Sequence, residues 1–314
     1  MTIKEASERY NIPMEILREY ESWGLCGQHR LCAVFYREFV SEPAHKARRK
    51  HRGAGAGGRR SVFEAAVKRC GASFCARKSK GACFMMENYR KTDPEFMERF
   101  AHFTFDEVVN EPGQTLDPVT RHMAILATLL GCQGVDAFQE MLPAALDAGV
   151  TPVMVKEIVY QAVDYLGIGR VLPFLKCTNE ILTQRGVTLP LEGQSTTTME
   201  NQLEKGAQAQ ADIFGPQMLE AWKAGHINRW LAANCFGDYY TRTGLTLAQR
   251  EMITFCFLAA QGGCEPQLTS HAKGNMNLGN DRDFLIRVVS QCLPYIGYPR
   301  SLNAVACVNK AAES

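Results

Sequence analysis

The feature that most constrains the fold of this 314-residue chain is an internal repeat in its C-terminal part. The segment LDPVTRHMAILATLLGCQG, which contains Arg121, parallels LTLAQREMITFCFLAAQGG, which contains Arg250. Further along, AALDAGVTPVMVKEIVYQAVDYLGIGRVL parallels GNMNLGNDRDFLIRVVSQCLPYIGYPRSL, so that Gly149 pairs with Gly279. The offset is 129 residues for the arginines and 130 for the glycines. Because the offset changes by only one residue, a single duplication explains the pattern.

Both copies have the hydrophobic spacing of helices, which is clearest in the second. Thr246 is suited to capping a helix that starts at the next residue. Pro266 fits the first turn of a second helix, which the pattern ends at Gly279. A third helix is expected from Asp281 to Cys292, with Pro294 ending it. No run alternates as a strand would, so the sequence predicts an all-α fold of packed helical hairpins.

Composition divides the chain into four regions. Residues 85–186 and 199–314 are the two copies, joined by the Pro/Gly/Ser/Thr-rich stretch GVTLPLEGQSTTT. Residues 26–84 contain AHKARRKHRGAGAGGRR, which has many cations and glycines and no helical or strand period. This composition predicts a disordered basic linker, although a basic arm can also bind nucleic acid.

Residues 1–25 are a helical fragment of a different kind. The run TIKEASERYNIPMEILREYESWGL resembles the helix-turn-helix that opens MerR-type regulators, in which Arg18 would lie near the major groove. The alternative, a short helical hairpin that binds nothing, is favoured because the following sequence does not resemble the rest of a MerR domain. DNA binding through residues 1–80 therefore stays a secondary hypothesis.

Cysteine usage and charge exclude several classes of protein. The twelve cysteines are scattered, and the chain has neither a secretory signal nor an apolar run long enough to span a membrane, so we expect a cytoplasmic protein with reduced thiols. Cys70, Cys75 and Cys83 lack the paired spacing of structural zinc sites, and we expect no metal. The net charge of +2 argues against a polyanion-binding molecule overall.

A polar face marks the second predicted helix of the second copy: Gln267, His271 and Asn275. Such a face is poorly suited to a core and can line a polar pocket. Glu265 lies at the mouth of this helix, where the helix dipole favours a carboxylate. Cys264 precedes His271 by seven residues and falls on about the same side. The alternatives are that Glu265 only caps the helix and that His271 is a surface or core histidine.

The segment QGGCEPQLTSHAKGNMNLGNDRDFLIRVVSQCLPYIGYPRSLNAV resembles the carboxymuconolactone decarboxylase family of the alkylhydroperoxidase D-like superfamily. With KGAQAQADIFG and CFGDYYTRTGLTLAQRE, the resemblance covers nearly all of residues 199–314, and residues 85–186 resemble the family more weakly. The resemblance implies small helical domains that assemble into trimers or an equivalent homo-oligomer. It also implies active sites in which a Glu and a His shuttle protons.

These observations predict a lyase that acts on a small carboxylated or lactone substrate without a cofactor. Decarboxylation requires a developing enolate to be stabilised and then protonated, and the substrate carbonyl can be the electron sink. His271 is the natural acid or base near neutral pH, with Glu265 orienting it or exchanging its proton. Arg250 can hold a substrate carboxylate or pair with Glu251. We assign Gln267 and Asn275 to substrate binding.

Two other functions stay open. Alkylhydroperoxidase D-type proteins use a C-x-x-C pair followed four residues later by His, and here Cys264 matches the first cysteine while Gln267 replaces the second. A one-cysteine peroxidase remains an alternative because the helix N-terminus and His271 can lower the pKa of Cys264. The third function is a DNA-binding regulator whose repeats sense a ligand.

The first copy lacks the polar motif. Depending on the register, Leu142 or Met141 stands opposite His271, and only Asp136 resembles Glu265. Neither register supplies a histidine or a thiol. We therefore expect the first copy to be a structural half that takes the place of a second subunit, although a polar contribution to a shared site is compatible with its sequence.

Overall fold

Helices form all of the regular structure in the computed structural model, which describes residues 89–313. They are α1 (Pro94–His102), α2 (Val108–Asn110), α3 (Pro118–Gly131), α4 (Val135–Asp147), α5 (Pro152–Leu166), α6 (Ile168–Gln184), α7 (Gln202–Phe214), α8 (His226–Trp230), α9 (Leu247–Gln261), α10 (Glu265–Asn277) and α11 (Arg282–Glu313). The all-α prediction is confirmed. The interpretations of residues 1–25 and 26–84 lie outside the described residues. None of the described helices is long and apolar enough to cross a membrane.

Each copy contains the same series of helices. A helix interrupted by a π-helical stretch, Phe103–Glu107 in the first copy and Leu231–Tyr240 in the second, precedes four further helices. In the second copy the last two helices are the halves of α11, which is kinked at Gly297. Gly297 has φ 76°, and Gly167, the residue between α5 and α6, has φ 80°. These two glycines lie 130 residues apart, so the structure supports the duplication.

Local capping starts the central helices as the sequence predicted. The side chain of Thr246 accepts a hydrogen bond from the backbone N–H of Gln249, and Oε1 of Gln249 accepts one from the backbone N–H of Thr246, so that α9 begins with a capping box. The prediction that Pro294 ends a helix was wrong, because α11 continues through it. The break comes at Gly297, since a positive φ that glycine adopts readily cannot continue a right-handed helix.

The two copies share one hydrophobic core. Helices α3 and α9 cross so closely at Gly131 that a Cβ there would lie 2.6 Å from the carbonyl oxygen of Phe257. Reciprocal polar contacts accompany this crossing. The Nη1 group of Arg250 donates to Gln161 Oε1 at 2.8 Å, and Nε of Arg121 donates to Gln291 Oε1 at 2.8 Å. The contacts relate equivalent residues, so the copies are docked with approximate two-fold symmetry.

Helix α7 lies outside this symmetrical arrangement and packs on the π-helical stretch Leu231–Tyr240. A Cβ on Gly206 of α7 would lie 1.8 Å from the carbonyl oxygen of Ala232, so only glycine permits this approach. On the other side of the crossing, a Cβ on Gly237 would lie 2.2 Å from the carbonyl oxygen of Gln202. This close contact brings the end of α7 to the polar face of α10.

Candidate active site

A histidine–carboxylate pair joins α9 to α10. Nδ1 of His271 lies 2.8 Å from Oε2 and 3.1 Å from Oε1 of Glu251. The Glu251 side chain is completely buried, and that of His271 is 12% exposed. Because an ionised carboxylate only accepts hydrogen bonds, Nδ1 carries the proton in this contact, and Nε2 is the nitrogen left for other chemistry.

Buried hydroxyl groups continue the network from Glu251. The hydroxyl of Tyr240 donates to Glu251 Oε1 at 2.9 Å and also lies 2.7 Å from Thr254 Oγ1. The hydroxyl of Tyr165, from the first copy, lies 2.7 Å from that of Tyr240. Burial raises the pKa of Tyr165 and Tyr240 well above the ordinary tyrosine value, so both stay neutral hydroxyls.

Aromatic rings enclose the imidazole on two sides. The rings of Phe214 and Tyr165 lie 5.4 Å and 5.7 Å from that of His271, both edge-on. Phe214 reaches this position because Gly274 leaves room for the end of α7. A Cβ at Gly274 would lie 2.8 Å from the Phe214 ring and 2.9 Å from a Glu251 oxygen. The enclosure keeps most bulk water from the imidazole, which strengthens its electrostatic contact with Glu251.

The carboxylate that pairs with His271 is therefore not the one that the sequence analysis chose. Glu265 is the first residue of α10 and is partly exposed, and within residues 89–313 its carboxylate forms no hydrogen bond or ion pair. The spacing argument placed Glu265 near His271 along one helix. It missed Glu251 because that residue comes from the neighbouring helix.

Cys264 is placed differently from what a reactive thiol requires. Its Sγ donates to the backbone oxygen of Leu258 at 3.4 Å. Burial raises the pKa of Cys264, the nearby Glu265 and Cys307 raise it further, and the contact with Gln261 only partly opposes this. This direction is opposite to the lowering on which the one-cysteine alternative depends, and desolvation is its largest cause.

Arg250 is bound by protein groups through both of its Nη atoms, while its buried Nε has no hydrogen-bond partner among the described residues. It is completely buried, and its Nη2 donates to Glu157 Oε2 at 2.9 Å and to the backbone oxygens of Arg242 and Thr243. Its carboxylate partner is thus Glu157 of the first copy and not Glu251. With Nη1 bound to Gln161, the guanidinium is committed to structure, which argues against the predicted role in holding a substrate carboxylate.

The other two polar residues predicted on this face of α10 differ in burial. Asn275 is completely buried, donates to the backbone oxygens of Glu251 and His271, and accepts from Asn280, so its amide positions the pair. Gln267 is exposed near the start of the helix. The face predicted from the sequence therefore runs from solvent to core, and of its three members only His271 has a partly exposed, reactive group in the network.

Sequence reasoning missed the role of Glu251 and the residues that surround the pair. Glu251 lies in the apolar run of α9, where a charged residue is a signal of a buried polar contact. Tyr165 and Gln161 come from the first copy, which was expected to be structural and left open as a polar contributor. No signal in the sequence linked α5 to α10, because that contact depends on how the copies dock.

The pseudo-equivalent position in the first copy carries no such pair. Where the second copy has His271, Glu251 and Thr254, the first has Met141, His122 and Ile125. Nδ1 of His122 lies 2.7 Å from the backbone oxygen of Pro118, within its own helix. Of the two symmetry-related positions, only the one in the second copy therefore carries a histidine–carboxylate pair.

Comparison with known families agrees with this two-copy architecture. The model of the carboxymuconolactone decarboxylase family matches residues 94–180 and again residues 226–310. The chain belongs to the carboxymuconolactone decarboxylase family. A comparison with curated proteins finds no match. Helix α7, which carries Phe214, lies between the two family matches and is therefore an element outside the matched ranges.

The surface near the His271–Glu251 pair contains a shallow pocket of about 280 Å³, formed by α10 and the end of α7. Its lining residues are Phe214, Thr269, Ser270, Lys273 and Asn277. Phe214 is common to this pocket and to the enclosure of His271. Within residues 89–313, no group of three or more His, Cys, Asp or Glu side chains is arranged to hold a metal ion.

Proposed function

We propose that the second copy is a cofactor-free enzyme of the decarboxylase type, which acts on a small carboxylated or lactone substrate by proton transfer at His271. The observation that carries this proposal is the contact between His271 and the completely buried Glu251. A buried carboxylate fixes the tautomer and orientation of the imidazole and stabilises its protonated form. Family membership supports the same class of chemistry.

The reaction can be written with His271 as the only proton donor. The bond between the substrate carbon and its carboxylate breaks, CO₂ leaves, and the electron pair moves into the neighbouring carbonyl to give an enolate. His271 enters this step as the imidazolium, protonated on both nitrogens: Nε2 gives its proton to the carbon, and Nδ1–H keeps its hydrogen bond to Glu251. Solvent returns a proton to Nε2 when the product departs.

Carboxymuconolactone in deuterated water is the probe for this reaction, with CO₂ release and deuterium in the product as the two measurements. We expect His271→Ala to lower turnover by roughly 10²–10⁴-fold, the usual contribution of a general acid or base. The matched control is His122→Ala at the pseudo-equivalent position of the first copy, which should retain wild-type turnover. Wild-type turnover in His271→Ala would refute the proposal.

Two substitutions distinguish the candidate catalytic carboxylates Glu251 and Glu265. Glu251→Gln keeps the size of the side chain but removes the charge that faces His271, so we expect it to lower turnover sharply. Glu265→Gln should have a smaller effect, because Glu265 contacts no group of the network. A larger loss of turnover in Glu265→Gln than in Glu251→Gln would mean that Glu265 is the catalytic carboxylate, as the sequence analysis proposed.

The thiol peroxidase remains the alternative enzyme, and its test is Cys264→Ser. The raised pKa of Cys264 counts against it, since the thiolate is the species that attacks a peroxide. Proton chemistry at His271 should survive this substitution. Loss of a measurable hydroperoxide reductase activity on Cys264→Ser, with His271→Ala less affected, would favour the peroxidase.

A further inference from the structure

The hydroxyl of Tyr165 is the point at which the first copy enters the candidate site. Tyr165 lies near the end of α5, and its ring packs edge-on against His271. Its hydroxyl contacts that of Tyr240 at 2.7 Å, and Sγ of Cys235 lies 3.8 Å away on the other side. Tyr165 of the first copy therefore lies beside the imidazole. It is also hydrogen-bonded to Tyr240, whose hydroxyl binds Glu251.

The direction of these hydrogen bonds follows from the number of protons available. Tyr240 has a single hydroxyl proton, and it goes to Glu251, because a carboxylate can only accept. The oxygen of Tyr240 is then the acceptor for the proton of Tyr165. The oxygen of Tyr165 is left to accept from the thiol of Cys235. Each donor in the chain therefore points towards Glu251.

A second residue of α5 acts on the other neighbour of Tyr240. Nε2 of Gln161 donates to Thr254 Oγ1 at 2.9 Å and to the backbone oxygen of Arg250 at 3.0 Å. Thr254 thus has an incoming hydrogen bond, and its own proton is free to point at Tyr240. The first copy supplies both outer donors, Tyr165 and Gln161, and Tyr240 is left with Glu251 as the acceptor for its proton.

We propose that Tyr165 of the first copy is a positioning residue for the Glu251–His271 pair, which makes the active site of the second copy depend on the first. The inference rests on the proposed function insofar as that pair is catalytic. A donated hydrogen bond from Tyr165 polarises the hydroxyl of Tyr240 and strengthens its bond to Glu251, because hydrogen bonds in series reinforce one another at low dielectric. The network thereby holds Glu251 as an ionised carboxylate in the orientation that accepts from Nδ1 of His271.

The pseudo-equivalent tyrosine provides a matched control. Tyr295 stands 130 residues after Tyr165 at the corresponding position of α11. Its hydroxyl is buried beside Arg121 and forms no hydrogen bond to the Tyr240, Glu251 or His271 side chains of the described chain. Tyr165→Phe and Tyr295→Phe therefore remove the same atom from equivalent buried positions, and only the first removal interrupts the network.

The titration of His271, followed by NMR of the histidine-labelled full chain, tests the proposal without a substrate. The titratable groups that face this imidazole or its carboxylate partner are Glu251, Tyr240 and Tyr165; Cys235 lies one contact further, and Asp164 contacts Cys235. We expect Tyr165→Phe to shift the pH dependence of the His271 ring signals relative to wild type, because the carboxylate that accepts from Nδ1 loses the outer donor of its network. Tyr295→Phe should leave the titration unchanged.

Thermal unfolding of the same variants separates positioning from mere packing. A loss of stability in Tyr165→Phe with an unchanged titration of His271 would overturn the proposal, as would an equal shift in Tyr295→Phe. A shifted titration in a protein that turns over no probe would support the positioning role and count against the proposed function. Should Tyr165→Phe fail to fold, Gln161→Leu must shift the titration, and no shift would overturn the proposal.

Discussion

Arg250 and Glu251 are adjacent charged residues that are both completely buried, and they serve different parts of the molecule. Successive residues of a helix point about 100° apart. Arg250 consequently faces Glu157 in the first copy, whereas Glu251 faces His271 in the second. A buried charge is tolerated only with a partner, so each residue depends on a group that is distant in the sequence.

The Glu157–Arg250 contact leads to a prediction about stability. Glu157→Gln leaves Arg250 buried without a carboxylate, so we expect it to lower the free energy of unfolding by about 3–5 kcal/mol. Urea denaturation of the full chain measures this. The control is Glu180→Gln, whose partner Lys176 is 4.0 Å away at the surface, and here we expect a loss of less than about 1 kcal/mol. Equal losses of unfolding free energy in the two variants would mean that the buried contact stabilises the protein no more than the surface contact does.

Asp164 leads to a prediction about pH. Its pKa is raised to about 7, chiefly by burial and in part by Asp238, while a contact with Cys235 opposes the shift. A carboxyl with a raised pKa in the folded state holds its proton there longer than in the unfolded state, so its stabilising contribution is lost as pH rises towards 7. Asp164→Asn should flatten the fall in stability between about pH 4 and pH 7. An unchanged slope in urea titrations would contradict this assignment.

At the scale of elements, close approaches of backbone decide where the site lies. The π-helical stretch Leu231–Tyr240 carries Tyr240 and Cys235, and α7 packs on it through Gly206. The wider turn of a π-helix shifts side chains relative to an α-helix and is frequent at functional sites. The position of Phe214 against His271 thus depends on a helix crossing that is remote from the imidazole.

Gly206 tests this dependence. A Cβ added there would overlap the carbonyl oxygen of Ala232, which is backbone and cannot move aside cheaply. We expect Gly206→Ala to cost roughly 3 kcal/mol in thermal or urea unfolding, as overpacking does. The control is Gly169→Ala in α6, where nothing lies within 4 Å of the added Cβ and a small gain in stability is expected. A neutral Gly206→Ala would show that α7 can shift freely.

The sequence was informative about elements and much less so about contacts between them. The repeat, the cap at Thr246 and the helix that begins at Glu265 follow from local spacing and turn chemistry, which a single segment determines. Glu251 and Tyr165 could not be assigned in this way. Their roles arise from the crossing of α9 with α10 and the docking of α5, and hydrophobic periods do not determine which buried polar groups then meet.

At the scale of the whole molecule, the shared core predicts that the copies remain together when the chain is cut between them. A protease site inserted at Gly193, which has open space around it, should yield a nicked protein that elutes as one particle and unfolds in one transition. The physical reason is that separation would expose the α3–α9 contact and leave Arg250 without Glu157. Two separately folded fragments in size-exclusion chromatography would contradict the single core.

The charge of the residue that faces Arg250 determines which copy can pack against the second copy. The residue of the second copy that corresponds to Glu157 is Arg287, 130 residues later. If the second copies of two chains packed together as the two copies do here, Arg250 of each would face an arginine instead of a glutamate. The two positive charges would then repel each other. Only a first copy offers the complementary charge. The contact between the copies is therefore directional: the first copy supplies the carboxylate, and the second supplies the guanidinium that it neutralises.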